Sequence, residues 1–286
     1  MQSLHDFMPD FCSKKRQLLR QSLRLSAANA LRVAGLVGLS APWASANAKP
    51  KSQIVRIAAA SDLKFALARV VEPFERQTGA KVELSFGSSG NFARQILQGL
   101  PVDIFMSADE DWAFKVADAG MAQGGPTDRG VVYAQGRLAL IVPSASPIAL
   151  DAQLKGLQTQ WASVRKFALA NPELAPYGRA AQQALQKLGL WDLIKPKLVI
   201  GESIAQATQF VTSGAAQAGI TALPLAVAPE LATMSKHISL PAQLHAPLRQ
   251  RMVLLKTSSA QGRALYEYLQ SAKVSDLLKN HGLDAK

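Results

Sequence analysis

Four short segments place small hydrogen-bond donors where a strand would hand over to a helix. Gly87-Ser88-Ser89-Gly90 sets two hydroxyls between glycines. An alternating run at 82–86 before it predicts a strand, and a run at 92–97 after it predicts a helix. Ala60-Ser61-Asp62, Ala175-Pro176-Tyr177-Gly178 and Gly201-Glu202-Ser203-Ile204 stand at similar junctions. Such a junction turns unpaired backbone N–H groups and the positive end of a helix dipole toward one spot, which suits an anion. None of the four has Lys or Arg at its centre. The chemistry this implies is capture of a small oxyanion by neutral donors. Each dipole contributes roughly 0.3–1 kcal/mol when exposed, and each hydrogen bond to a charged group on the order of 1.5–3 kcal/mol. Several together reach about −8 kcal/mol, a micromolar affinity. A plainer reading stands beside this one. Ser61, Ser89 and Ser203 can be helix caps, and Asp62 can compensate a dipole in a first turn. The Asp62 carboxylate would repel an anion, so only its N–H could help. Tyr177 can be packing, and Arg94 and Arg179, one turn inside helices, read as solvated.

Catalysis finds little support. Gly87-Ser88-Ser89-Gly90 is not the Gly-x-Ser-x-Gly nucleophile elbow, because the second glycine follows too soon. His237, His245 and His281 all come late and stand in no recognisable relation to a serine or a metal site. The lone cysteine, Cys12, rules out a disulfide framework and a Cys-based zinc or redox pair. The expectation is a binding protein with no catalytic residue, no cofactor and no bare cation site.

The chain has 286 residues, 48% hydrophobic and 18% charged, enough for two α/β lobes. Its net charge of +12 favours approach of anions. Residues 1–48 carry six basic and two acidic side chains, which leaves +8 on the remainder. That basic start, the apolar Val33-Ala34-Gly35-Leu36-Val37-Gly38-Leu39 and the small-residue signals Ala44-Ser45-Ala46 and Ala46-Asn47-Ala48 read as a cleaved export signal. The apolar run is too short to span a bilayer. The 48 leading residues are also too short and too weakly patterned for a DNA-reading module, so no nucleic-acid partner is expected. A periplasmic location follows from the signal.

Strands and helices alternate from residue 54 on, and the strands are apolar, which predicts parallel sheets covered on both faces. Pro73 should kink or end the helix that Ser61 opens. A long extended stretch at 137–142, and another at 251–255, read as crossings between lobes. The expected fold class is α/β, with two similar doubly wound lobes joined by a two-strand hinge and the ligand cleft between them. Residues 52–136 would form the first lobe, completed by 256–286, and residues 137–255 the second.

At these residues the chain resembles the periplasmic molybdate-binding proteins of ABC transporters, members of the two-lobed, type II-like periplasmic binding protein class. The matching phrases are Ala58-Ala59-Ala60-Ser61-Asp62-Leu63, Phe86-Gly87-Ser88-Ser89-Gly90, Ala93-Arg94-Gln95-Ile96 and Asp103-Ile104-Phe105-Met106-Ser107-Ala108-Asp109. Later come Ala184-Leu185-Gln186-Lys187-Leu188-Gly189, Trp191-Asp192 and Ala218-Gly219-Ile220. The similarity runs from about residue 54 to residue 270. It implies a monomer that binds molybdate or tungstate in the periplasm and delivers it to an inner-membrane permease. By position, Ser61 and Ser89 match the family's first-lobe serines, and Tyr177 and Ile204 its second-lobe backbone N–H donors. Many members carry a tyrosine where this chain has Ala222. The Tyr177 hydroxyl or an extra N–H from Asp62 would take its place.

Overall fold

The computed structural model describes residues 54–284. The export signal expected at 1–48 lies outside the described residues. The first strand, β1 (Ile54–Ala60), is almost wholly buried. A 3-10 turn at Ser61–Leu63 then leads into helix α1 (Lys64–Thr78), whose Leu67, Val70, Val71 and Phe74 form one buried face. Of the two outcomes expected at Pro73, the helix does not end there: it runs on to Thr78 and stops at Gly79, with a left-handed φ of 70°. A prolyl residue inside a helix costs about 3 kcal/mol. The buried apolar face around it outweighs that cost, since packing rather than propensity carries most of a helix's stability in a folded chain.

Strand β2 (Lys81–Gly87), helix α2 (Ser89–Leu97), strand β3 (Ile104–Ser107) and helix α3 (Glu110–Asp118) complete the first α/β run. Strand β4 (Val131–Gly136) passes almost directly into β5 (Leu138–Pro143). Then come α4 (Lys155–Thr159), β6 (Phe167–Ala170), α5 (Pro176–Lys187), α6 (Trp191–Ile194), β7 (Leu198–Gly201), α7 (Ile204–Thr212), β8 (Ala218–Ala222), α8 (Leu223–Ala226) and β9 (Ser235–Ser239). Strand β10 (Leu248–Leu254) precedes the last helices, α9 (Ala260–Tyr268) and α10 (Ala272–Asn280).

The strands form two five-stranded sheets, β2-β1-β3-β10-β4 and β7-β6-β8-β5-β9. They are the centres of the two lobes, and their matching orders make the lobes similar. Each sheet is mixed rather than parallel as expected. β10 runs antiparallel to β3 and β4, and β5 runs antiparallel to β8 and β9. Both strands enter directly from the other lobe, with no crossover helix to reset their direction, so an antiparallel neighbour is the pairing open to them. The expected return to the first lobe at residue 256 is also corrected. β10 already belongs to the first sheet, so the chain is back by Leu248.

Alternation along each strand feeds two cores per sheet. Ile57, Ala59, Ile104 and Met106 face one cluster of the first lobe, while Ala58 and Phe105 face the other. Leu140 and Leu169 face the large core of the second lobe, and Ile141 and Ala168 the small one. One buried carboxylate ties three elements of the first lobe together. Asp103 accepts from the N–H of Arg56 at 2.8 Å and from the N–H of Ser259, the N-cap of α9, at 2.8 Å. Asp103→Ala would strip both amides of a charged acceptor, at a cost of about 3 kcal/mol. The expected result is a thermal midpoint lowered by roughly 6–12 °C in calorimetry.

Candidate functional site

Five residues singled out by spacing arrive at one place. Ser61 and Asp62 follow the carboxyl end of β1. Ser89 follows that of β2 as the first residue of α2. Tyr177 lies in the first turn of α5 after β6, and Ile204 opens α7 after β7. All five line a single small hollow between the two sheets' helix starts. Its free volume is about 10 Å³, the space of one water. Among the described residues no lysine or arginine lines it.

The geometry frees donors toward the hollow. Ser61 Oγ accepts from the N–H of Ala205 at 3.2 Å, a bond that joins the two lobes. Ser89 Oγ accepts from the N–H of Ala108 at 3.0 Å. Each serine oxygen is thereby fixed by an incoming N–H, and its own O–H remains to donate. The helix starts add backbone donors, because first-turn amides have no intrahelical partner. Pro176 begins α5 without an N–H, so Tyr177 is the first residue of that helix able to offer one.

The capping alternative divides among the serines. Ser203 caps α7 by accepting from the N–H of Gln206 at 3.3 Å. In α2 the cap is Ser88, which accepts from the N–H of Asn91 at 3.4 Å, and Ser89 sits one residue inside. Ser61 makes no side-chain cap bond.

The Tyr177 hydroxyl is not the substitute for the missing tyrosine at Ala222. It is fully buried and donates its one proton to Asp62 Oδ2 at 3.0 Å. Gln250 Nε2 donates to the same carboxylate oxygen at 2.6 Å and to the tyrosine oxygen at 2.9 Å. The Tyr177 side chain therefore anchors the second lobe on the first. Gly136 makes room for this contact, since a Cβ there would run into the Tyr177 hydroxyl. Gln250 escaped the sequence reading. It stands between Arg249 and Arg251, so its neighbours read as a solvated stretch, yet the alternation of β10 turns it inward and it is fully buried.

Burial pushes the Asp62 carboxyl up to about 6, against the lowering effect of the Gln250 and Tyr177 hydrogen bonds. Burial likewise drives the Tyr177 phenol well above its ordinary value, helped by the Asp62 charge. Asp62 Oδ1 and Gln250 Oε1 are buried and have no hydrogen-bond partner among the described residues. A neutral carboxyl at Asp62 would suit both this environment and an adjacent anion better than a charged one.

The profile of the bacterial extracellular solute-binding proteins matches residues 55–284. The molybdate-binding protein ModA of Azotobacter vinelandii is 36% identical over 230 residues, covering 80% of this chain and 88% of that protein. ModA of Rhodobacter capsulatus is 33% identical over 264 residues, covering 92% and 96%. The solved structure of the Azotobacter vinelandii periplasmic molybdate-binding protein superposes with a TM-score of 0.73 at 31% identity, over 81% of this chain and 99% of that one.

The raised Asp62 value sets a pH dependence of stability. Between pH 4 and about 6 the folded chain holds this proton and the unfolded chain has lost it, so stability falls as pH rises through the window. The fall amounts to about 3 kcal/mol. Asp62→Asn keeps an acceptor for Tyr177 and removes the charge. Its urea midpoint should lie above that of the parent chain at pH 7, and the difference should vanish at pH 4.

Proposed function

The chain belongs to the bacterial extracellular solute-binding proteins, and we propose that it captures molybdate or tungstate in the periplasm and delivers the anion to the inner-membrane permease of an ABC importer. The single observation that carries the choice of ligand is the convergence of Ser61, Asp62, Ser89, Tyr177 and Ile204, from both lobes, on one hollow lined by neutral donors. The relatives from Azotobacter vinelandii and Rhodobacter capsulatus, which match over most of this chain, are molybdate-binding proteins, and this supports the same choice.

In this reading the anion sheds its water and takes two serine O–H donors from the first lobe and the amides of Tyr177 and Ile204 from the second. The Asp62 N–H adds a donor at the end of β1. Converging helix dipoles replace a fixed cation. Neutral donors make release possible once the lobes separate, because no ion pair has to be broken. The serine oxygens are held by Ala205 and Ala108, so each O–H stays aimed at the hollow, which widens from its volume of about 10 Å³ as the anion enters. The protein acts by binding alone, as a monomer, with no cofactor.

Competition calorimetry tests the reading. Molybdate and tungstate should bind with micromolar or tighter Kd, and sulfate and phosphate should fail to displace them at equal concentration. Equal affinity for sulfate or phosphate would overturn the choice of ligand. Ser61→Ala and Ser89→Ala should each weaken molybdate binding by about 10- to 100-fold, the range of one hydrogen bond to a charged group.

A further inference from the structure

The second turn of α5 carries a contact that the anion site does not use. Arg179 reaches from the second lobe to the start of α3 in the first, where its guanidinium bonds Asp109 and lies 3.2 Å from Asp111. Its position inside a helix had suggested a solvated side chain. Instead it is partnered across the cleft.

The carboxylate it meets is held in advance. Asp109 is buried, caps α3 by accepting from the N–H of Trp112 at 3.2 Å, and accepts from Ser107 Oγ at 3.1 Å. The residue before it, Ala108, donates to Ser89 Oγ. A continuous path thus runs from Arg179 through Asp109 and Ala108 to one of the serines on the hollow. At the other end, Tyr177 and Arg179 share one helix, so the bond that seats the guanidinium also seats the Tyr177 amide. Among the described residues Asp111 is otherwise exposed, and Lys115, further along α3, lies over the Trp112 ring rather than competing for Asp109.

We propose that Arg179 is a positioning residue for anion retention: its bridge to Asp109 and Asp111 latches the second lobe onto the first and holds the Ser89 hydroxyl and the Tyr177 amide in register. This rests on the oxyanion-binding reading. A charge pair of this kind, partly withdrawn from water, acts mainly on dissociation rather than on encounter. Arg179→Gln should therefore speed molybdate release by about tenfold or more and leave the association rate within about twofold. Arg179→Lys keeps the charge but replaces Nη2, the one nitrogen that meets both carboxylates, by an ammonium on a shorter stem, and should recover only part of the retention. Asp109→Asn keeps a helix cap and loses the charge.

Stopped-flow rates for molybdate, measured on the purified chain and these variants, decide the matter together with small-angle scattering without added anion. A faster release in Arg179→Gln, matched by Asp109→Asn and not increased further in the double variant, supports the latch. So does a larger radius of gyration in the variants before molybdate is added. Unchanged release and unchanged radius would overturn it. If the parent chain fails to bind molybdate at all, the ligand assignment falls, and the scattering comparison still decides whether Arg179 holds the lobes together.

Discussion

A doubly charged oxyanion leaves water only for a place where donors are already aimed at its oxygens. That requirement explains much of this architecture. Helix starts offer amides without partners, and the α/β order places them at the carboxyl ends of parallel strands. One sheet presents its helix starts on one side only, so a second sheet is needed to close round the ion. Ser61 Oγ bound to Ala205 and Gly90 N–H bound to Leu174 O at 2.9 Å draw the two sets together. The two serine hydroxyls are then stiff because each is fixed by a bond from a backbone N–H.

The same closeness brings a problem that the fold lessens locally. Asp62 stands beside the hollow, and its charge would oppose the ion. The Tyr177 hydroxyl and the Gln250 amide both turn their protons toward it, and burial favours its neutral form. One carboxyl thus receives donors from the second lobe and from β10. Its cluster joins the parts of the chain that must move relative to one another for an ion to enter. The polar side chains of Asp62, Tyr177 and Gln250 are spent on one another, which leaves amides and serines as the proposed contacts for the ion.

Much of this was legible in the residues themselves. Apolar strands between amphipathic helices announced the α/β lobes, and glycine-serine junctions announced the helix starts. What escaped depends on distance along the chain. Gln250 lies 188 residues from Asp62, and Arg179 lies 70 from Asp109, so no local pattern ties either pair. The choice between Ser88 and Ser89 as cap turns on where the helix begins, and adjacent serines give no local means of deciding it. The direction of β5 and β10 depends on which lobe the chain has just left, which their own apolar composition does not encode. Pro73 carried a strong local signal that the burial of Phe74 and its neighbours overrode.

The placement of β10 between β3 and β4 reaches beyond ligand capture. When the chain emerges from its amino end, β4 has no neighbour in its own sheet until residues 248–254 follow, because only β10 bridges it to the rest. The early half is thus kept from settling into a finished sheet on its own, and tertiary order waits on contacts of very long sequence separation. The second sheet draws all its strands from residues 138–239 and has no such wait, so the half made first is the half completed last.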